Sequence, residues 1–245
     1  MLMAFDRIHY TYPCTTQPAL NDLSLQFPEE KHCALIGQNG CGKTTLFRLA
    51  NGLYRPEKGV VRWRGEPIQY DRRYLHQLRQ QVGLVFQNPE QQLVATTVEE
   101  DLSYGLFNFG FPEAEIRERV QQALLDFNLT ELADYPVNYL SLGQKKRVAI
   151  ADVMILRPRL LLLDEPTAYL DPKQAGSLRH ILDRLTDTTI VIATHDLNFV
   201  YNWADWVFLI DQGQLILENT PEFLFNQPQL LDSLGFSRRA DDIAG

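Results

Sequence analysis

The chain has 245 residues, of which 45% are hydrophobic and 22% are charged. This composition is typical of one large or two small domains with a packed core, and it excludes a disordered or collagen-like chain. The 23 Lys and Arg residues against 31 Asp and Glu residues give a net charge of −8. Because an acidic chain without a basic run binds nucleic acid poorly through bulk electrostatics, we expect no nucleic-acid partner.

The sequence also lacks the signals of a membrane-spanning or disulfide-linked protein. The longest apolar run, residues 206–210, is far shorter than the roughly 20 residues that a spanning helix needs. The first ten residues carry neither the basic nor the apolar region of a signal peptide. Cys14, Cys33 and Cys41 have no metal-ligand spacing. We therefore expect a reducing, cytosolic setting.

The first third of the chain predicts strands, turns and short helices. Alternation at Ile8, Tyr10 and Tyr12 and again at Leu23, Leu25 and Phe27 is typical of half-buried strands. The later elements predicted in this part are a buried strand at 33–36, a helix at 44–50, a hairpin at 60–65 and a buried strand at 82–86.

Helical periodicity then replaces the strands between residue 88 and about residue 140. After it, strands and helices alternate again up to residue 210. The predicted segments are helices at 98–106, 113–127, 129–134, 144–155, 172–185 and 197–204, and strands at 160–163, 189–193 and 206–210. We expect one domain over 1–220, with a helical subdomain inserted at about 88–158, and a helical tail at 221–245.

A glycine-rich loop follows the predicted strand at 33–36. Residues Gly37 to Thr44 match the phosphate-binding pattern G-x-x-x-x-G-K-[ST]. Glycines let the backbone turn its N–H groups toward phosphate oxygens, and the following helix directs its positive end at the same anion. Lys43 would reach the β- and γ-phosphates, and the Thr44 hydroxyl would ligate Mg²⁺. The alternative is a chance match in a turn.

Two carboxylates, Asp164 and Glu165, end the apolar strand at 160–163. Ligands of α/β proteins bind at the carboxyl edge of the parallel strands, where this pair would lie. Asp164 would hold Mg²⁺ through water, and Glu165 would orient or deprotonate the attacking water. The alternative is that the two carboxylates only end a strand in solvent. The presence of the phosphate-binding loop in the same chain argues against this interpretation.

Residues 140–144 resemble the LSGGQ signature of the ATP-binding cassette (ABC) ATPases. The family's other motifs follow in its own order: Tyr12 matches the adenine-stacking aromatic, Gln87 the Q-loop glutamine, residues 168–171 the D-loop and His195 the switch histidine. The resemblance covers roughly residues 3 to 220. From the residues alone, Ser141 could be a helix cap, Gln87 a surface residue and His195 a buried, hydrogen-bonded histidine. Tyr12 could likewise be a core residue.

The resemblance implies an α/β fold, the ABC cassette of the P-loop NTPases, with a RecA-like α/β core, an antiparallel β-subdomain and an inserted α-helical subdomain. It also implies a dimer that sandwiches two ATP molecules with Mg²⁺, in which the Ser141 end of a helix faces the γ-phosphate held by the other subunit. The implied catalytic residues are Glu165, His195, Gln87 and Lys43; the implied metal ligands are Thr44, Gln87 and Asp164; and the implied nucleotide-binding residues are Tyr12, Gly37, Gln38, Asn39, Gly40, Cys41, Gly42, Lys43, Thr44, Thr45, Ser141, Gly143, Gln144 and Asp171.

Three residues depart from the common pattern or add to it. Leu142 replaces the second glycine of the signature, where it would favour negative φ and crowd the nucleotide of the other subunit. Tyr169 stands in the D-loop, where a small residue is common. Cys41 lies beside Lys43 and a helix N-terminus, so we expect a lowered thiol pKa and a block of ATP binding on alkylation.

Longer segments resemble the energy-coupling-factor (ECF) importers: these are residues 85–93, 97–102 and 143–151. Within that group, the segments that resemble the cobalt-import branch are residues 39–43, 78–82 and 111–116. This resemblance implies an ATPase at the cytoplasmic face of the cell membrane. Its implied partners are a second ATPase subunit, expected to be identical, an integral membrane coupling subunit and a substrate-binding membrane subunit. Nickel or vitamin import, a regulatory cassette, a nucleic-acid-associated ABC ATPase and a P-loop kinase or GTPase are the alternatives.

Overall fold

The computed structural model describes residues 1–236, which form two sheets and nine α-helices. The strands are β1 Met3–Thr11, β2 Pro18–Phe27, β3 His32–Ile36, β4 Lys58–Trp63, β5 Glu66–Pro67, β6 Val82–Val85, β7 Leu160–Asp164, β8 Thr189–Thr194, β9 Trp206–Asp211 and β10 Gln214–Asn219. The helices are α1 Lys43–Ala50, α2 Arg72–Gln81, α3 Val98–Asn108, α4 Glu113–Asp126, α5 Leu142–Met154, α6 Pro172–Leu182, α7 Leu197–Trp203, α8 Pro221–Phe225 and α9 Pro228–Ser233.

The six-stranded sheet has the order β10-β9-β3-β8-β7-β6, and all its strands except β10 run parallel. A parallel sheet is covered on both faces, so its strands are apolar throughout rather than alternating. Residues 160–163 of β7 are accordingly fully buried. The helical insertion covers one face at β7 and β8, and the helices after residue 220 cover the same face at β3 and β9, whereas α1 and the second sheet pack against the opposite face.

The second sheet is antiparallel, with the order β2-β1-β4-β5. Its inward side chains, among them Phe5, Ile8 and Phe27, join a core with α1 and with Leu35 of β3. The predicted hairpin at 60–65 is present as β4 and β5. This sheet therefore packs beside the segment that follows β3, which is the phosphate-binding loop.

The helical insertion consists mainly of α3, α4 and α5. A capping box starts α3, because the Thr97 hydroxyl accepts from the Glu100 N–H while the Glu100 carboxylate accepts from the Thr97 N–H. The predicted helix at 129–134 is wrong: these residues form only a short 3₁₀ turn over Thr130–Leu132. Val120, Leu102 and Val148, one from each helix, are buried together against the sheet.

The α/β cassette fold is confirmed, with small differences at the element ends. The strand predicted at 82–86 stops at Val85, and the helix predicted at 172–185 stops at Leu182. Tyr12, predicted in the first strand, follows β1 instead. Within residues 1–236 no helix is long and apolar enough to cross a membrane. Of the predicted tail, residues 237–245 lie outside the described part of the chain.

Candidate nucleotide-hydrolysis site

Three neighbouring parallel strands bring the predicted chemistry to one edge of the sheet. The phosphate-binding loop follows β3, His195 follows β8, and the carboxylate pair ends β7. Strand β8 pairs with β3 on one side and with β7 on the other. Because the carboxyl ends of parallel strands meet at one edge, these residues become neighbours although they are far apart in the chain.

The loop from Gly37 to Gly42 depends on its glycines. Gly40 and Gly42 have φ of 84° and 111°, a backbone region in which residues with side chains are strained. A Cβ on Gly37 would overlap the Cys41 sulfur and the Ile210 carbonyl oxygen. The Gly213 N–H, in the turn between β9 and β10, donates to the Cys41 carbonyl at 3.0 Å and so holds the loop against this turn. Helix α1 begins at Lys43, so its unpaired first N–H groups open into the loop.

The Lys43 ammonium folds back into this loop. Nζ donates to the Gly37 carbonyl at 2.6 Å and to the Gln38 carbonyl at 3.2 Å, and it lies 4.0 Å from Glu165 Oε1. The side chain is buried. Lys43 thus uses backbone carbonyl oxygens of the loop as its hydrogen-bond acceptors.

Thr44 and Asp164 form a direct hydroxyl–carboxylate contact. Thr44 Oγ1 donates to Asp164 Oδ2 at 2.6 Å. Burial raises the pKa of Asp164, while the hydrogen bond from Thr44 acts in the opposite direction. Hydroxyl and carboxylate oxygens are the ligands that Mg²⁺ prefers, so this pair fits a magnesium site. Within residues 1–236 there is no cluster of three or more His, Cys, Asp or Glu side chains that could hold a metal ion by themselves.

Glu165 is buried beside Asp164, and its carboxylate contacts His195. The distance from Glu165 Oε1 to His195 Nδ1 is 2.9 Å, while the His195 side chain is 58% exposed. This contact favours the tautomer in which Nδ1–H donates, and it leaves Nε2 open to solvent. His195 is therefore hydrogen-bonded but not a core residue. Glu165 also has φ of +46°, a strained conformation for a residue with a side chain.

The prediction of a lowered thiol pKa at Cys41 is wrong. Cys41 is only 4% exposed, and burial raises the pKa of its thiol. The positive charge of Lys43 acts in the opposite direction but is the smaller effect. Desolvation wins because the sulfur is enclosed under the loop against Gly37, and the hydrogen bond from the Lys43 backbone at the start of α1 does not outweigh this burial. Selective alkylation of Cys41 is therefore no longer expected.

Tyr12 lies beside the loop in a group of three tyrosines. Its ring contacts Tyr10 and Tyr54 edge-on, at centroid distances of 5.3 and 5.9 Å. Its hydroxyl lies 2.9 Å from the hydroxyl of Thr45. Thr45 is buried, so its side chain is used to hold Tyr12, and only its backbone is available for a phosphate. The partly exposed Tyr12 ring is thus held next to α1 as a potential surface for a base.

Gln87 follows β6 and stays exposed. Its amide makes no hydrogen bond to another residue of the described chain. The segment after it is firmly tied to α5, because Lys145 Nζ lies 2.6 Å from Glu90 Oε1 and Gln92 Nε2 donates to the Ala149 carbonyl at 2.8 Å. Sequence reasoning missed these ties, which connect the Gln87 segment to the helix carrying the signature.

Ser141, Gly143, Gln144 and Asp171 lie apart from the phosphate-binding loop and line a separate cavity of about 440 Å³. Ser141 is indeed a helix cap: its hydroxyl accepts from the Gln144 N–H at 3.3 Å, and the Gln144 side chain accepts from the Ser141 N–H at 2.8 Å. The Asp171 carboxylate caps α6 in the same way, through the Gln174 N–H. No hydrogen bond or ion pair within residues 1–236 joins these four residues to the loop.

Leu142, which departs from the signature pattern, and Tyr169, which departs from the D-loop pattern, are both exposed. Leu142 is the first residue of α5, where a helical conformation suits a residue with a side chain. Tyr169 is 85% exposed and has φ of +64°. Leu142 stands between Ser141 and Gly143, and Tyr169 precedes Asp171 by two residues, so both exposed side chains are close in sequence to residues that line the cavity.

Sequence reasoning also missed Lys146, a buried cation on α5. Its Nζ donates to three backbone carbonyl oxygens, those of Glu165, Pro166 and Ala168. Burial lowers the pKa of Lys146 to about 8, although the nearby Glu165 carboxylate acts in the opposite direction. A signal was present, because Lys146 falls one turn before Ile150 on the apolar stripe of α5.

A glycine loop at a helix N-terminus, a lysine within it and a hydroxyl–carboxylate pair beside it define a P-loop nucleotide-hydrolysing protein. A model of the ABC transporter family matches residues 20–168. The chain belongs to this family and is an ATP-hydrolysing cassette.

Curated relatives cover nearly the whole chain. An ABC transporter ATP-binding protein of Nostoc sp. is 62% identical, over 95% of this chain and 86% of its own length. The cobalt import ATP-binding protein CbiO of Salmonella paratyphi A is 42% identical, over 91% of this chain and 83% of its own length. The energy-coupling factor transporter ATP-binding protein EcfA of Methanocaldococcus jannaschii is 40% identical, over 91% and 81%.

Solved structures share the fold. The structure of cbiO1 from Clostridium perfringens, part of the ABC transporter complex cbiONQ, has a TM-score of 0.84 and 36% identity and covers 98% of this chain and 97% of its own. The ATP-binding cassette MJ0796, solved as a dimer bound to ADP and Pi, has a TM-score of 0.81 and 25% identity, with 90% and 99% covered.

Proposed function

We propose that this chain hydrolyses ATP to power an importer of the energy-coupling-factor type, with cobalt ions as the transported substrate. The observation that carries the proposal is the full-length similarity to CbiO and cbiO1, which extends well beyond the phosphate-binding motifs. The similarity to EcfA supports the same transporter type and leaves nickel or a vitamin as alternative substrates. The substrate would never touch this chain.

The residues of the carboxyl edge would act on ATP held by their own subunit. The N–H groups of residues 37–45 would receive the phosphates, and Lys43 would exchange the Gly37 and Gln38 carbonyls for β- and γ-phosphate oxygens. The Tyr12 ring would stack on the adenine. Thr44 and Asp164 would hold Mg²⁺, joined by the amide of Gln87, and this ion would offset the charge of the phosphates.

Glu165 would orient or deprotonate the water that attacks the γ-phosphorus. The new P–O bond forms as the bond to the bridging oxygen breaks, which leaves ADP and inorganic phosphate. The contact between Glu165 and His195 would hold the carboxylate at this position, and His195 would present its open Nε2 toward the γ-phosphate. General base catalysis by such a carboxylate contributes about 10²- to 10⁴-fold.

A second copy of this chain would complete the site. The residues around Ser141 open a helix, whose N-terminus attracts anions, and the first turn of this helix contains no acidic residue. In a head-to-tail pair this end, together with Asp171, would face the γ-phosphate of the other copy. The dimeric neighbour bound to ADP and Pi supports such a pair.

Membrane subunits would contact the helical insertion at the cytoplasmic face of the membrane. The large apolar side chains that are exposed there include Val94 after Gln87 and Tyr104 and Phe107 on α3. Several exposed apolar side chains in one subdomain favour a protein partner. ATP-driven closure would move α5 and the Gln87 segment together, because Glu90 and Gln92 of that segment are bonded to α5.

The test is copurification followed by transport. The tagged chain is purified from membranes in mild detergent, its integral subunits are identified, and the complex is placed in ATP-loaded vesicles. We expect uptake of radioactive cobalt that stops with Glu165→Gln in this chain. Uptake of nickel or of a vitamin would select the alternative substrate. The importer would be refuted if an ATP-hydrolysing chain copurified with no integral membrane subunit.

A further inference from the structure

Lys146 has no role in the site as the motifs define it, yet it is among the few buried charged side chains of the described residues. An ammonium group has three N–H donors, and here each finds a carbonyl oxygen: Ala168 at 2.8 Å, Pro166 at 2.9 Å and Glu165 at 3.1 Å. Burying a charge is unfavourable unless its hydrogen bonds are satisfied, and this arrangement satisfies all of them.

The three acceptors belong to the turn that carries Glu165. This turn, residues 165–168, lies between β7 and α6, outside any strand or helix. The Glu165 N–H donates to the Ala193 carbonyl on β8 at 2.8 Å, and the Glu165 carbonyl accepts from Lys146. The backbone of Glu165 is thus held from both sides, by the sheet and by α5.

Such a hold has a physical purpose at this residue. Glu165 has φ of +46°, a conformation that costs about 1–3 kcal/mol for a residue with a side chain and persists only where its surroundings enforce it. A relaxed backbone at Glu165 would turn the carboxylate away from His195 and from the phosphate-binding loop. Convergent hydrogen bonds from a single buried cation oppose that relaxation.

Lys146 also belongs to the helix that carries Ser141 at its start and that is tied to the Gln87 segment through Lys145 and Ala149. We propose that Lys146 is a positioning residue, which fixes the backbone of Glu165 to α5 so that the carboxylate is aimed at the phosphate-binding loop. This inference rests on the hydrolytic role given to Glu165 above. It makes the position of α5 a determinant of hydrolysis within the same subunit.

The test compares Lys146→Met, which removes every donor, with Lys146→Gln, which retains two N–H donors on a shorter side chain. ATP hydrolysis by the full chain is measured as kcat and KM, with ATP affinity in EDTA and the thermal midpoint of unfolding beside them. Lys58→Met, an exposed lysine on β4, is the control for the lost charge.

We expect kcat to fall about 10- to 100-fold in Lys146→Met, since small misplacements of a reacting group cost factors of this size. Lys146→Gln should recover part of this loss, while KM and ATP affinity stay within about twofold of the unmodified chain in both variants. Because Met leaves three buried carbonyl oxygens without a donor, measurements are made below its own unfolding midpoint, and Lys146→Gln alone decides the matter if Lys146→Met does not fold.

An unchanged kcat in a folded variant would overturn the proposal. So would a parallel loss of kcat and ATP affinity that follows the loss of thermal stability, since a merely structural lysine would behave in this way. If the unmodified chain itself does not hydrolyse ATP, the proposed function fails and the inference falls with it.

Discussion

The carboxyl edge of the parallel sheet and the start of α5 both carry nucleotide-binding motifs, yet the two regions are built in opposite ways. At the edge, Lys43, Asp164 and Glu165 are buried and bonded to their neighbours. At the start of α5, Ser141 is exposed and Gln144 is half-buried, and the side chain of each is bonded to the backbone N–H of the other. The first region brings its charged groups together within one chain, whereas the second presents a helix N-terminus with no acidic residue in its first turn.

If the edge contains the chemistry, the largest effect comes from Glu165→Gln. This variant keeps the shape of the side chain but removes its ability to take a proton. We expect hydrolysis to fall about 10²- to 10⁴-fold, the range of general base catalysis, with ATP affinity retained. Phosphate release and ATP binding are measured in parallel, with Glu218→Gln on β10 as the control for a lost carboxylate. Hydrolysis at the unmodified rate would remove Glu165 from this role.

The next effect is on ATP affinity. Lys43→Ala removes a cation that would make charge-assisted hydrogen bonds to two phosphates, each worth about 1.5–3 kcal/mol. We expect ATP affinity to fall at least about tenfold, as measured by isothermal titration calorimetry. Lys58→Ala, which changes the net charge equally on an exposed strand, should bind ATP like the unmodified chain. Equal affinity in Lys43→Ala would show that this lysine stays on the loop carbonyls.

The third prediction tests whether the ring of Tyr12, in the group of three tyrosines, binds the adenine base. Tyr12→Ala removes the ring and should weaken ATP binding by about 1–3 kcal/mol, the range for stacking of a base on an aromatic side chain. Tyr12→Phe keeps the ring and loses only the contact with the Thr45 hydroxyl, so most of the affinity should remain. If inorganic triphosphate binding falls as much as ATP binding in Tyr12→Ala, the ring supports the loop and does not stack on adenine.

The smallest expected effect distinguishes two roles of Ser141, as a cap of α5 alone or also as a contact to the nucleotide of the other subunit. Ser141→Ala and Thr97→Ala each break a capping box, on α5 and α3, and each should lower the free energy of unfolding by about 1 kcal/mol. Only Ser141→Ala should also reduce ATP turnover, about twofold to tenfold, because only this helix end would face a nucleotide. Thermal unfolding and turnover of both variants test this, and equal turnover would leave Ser141 as a cap alone.

Much of the site could be predicted because its motifs are local. The spacing from Gly37 to Thr44 needs only a strand before it and a helix after it, and both are present. The carboxylates that end β7 are read from a strand and two residues. Such patterns describe short stretches whose backbone conformation depends on the nearby sequence.

Other features escaped prediction because they depend on burial. The pKa of Cys41 was expected to fall, and burial raises it. The cap that Asp171 makes depends on where α6 begins, whereas a cap at Ser141 was one of the alternatives that the sequence left open. Lys146 lies on the apolar stripe of α5, but its hydrogen-bond partners come together only when the turn at 165–168 is folded against that helix.

The sequence by itself determined the class of fold, the phosphate-binding loop and the identity of the carboxylates, since each follows from residue types at fixed short spacings. Only the tertiary structure decided which charges are desolvated, which carbonyl oxygens meet Lys146 and how Glu165 is held. Burial and hydrogen bonding between distant segments exist only after the chain has packed. Strands β3, β7 and β8 are separated by helices in the sequence, and they become neighbours only when those helices pack against the sheet.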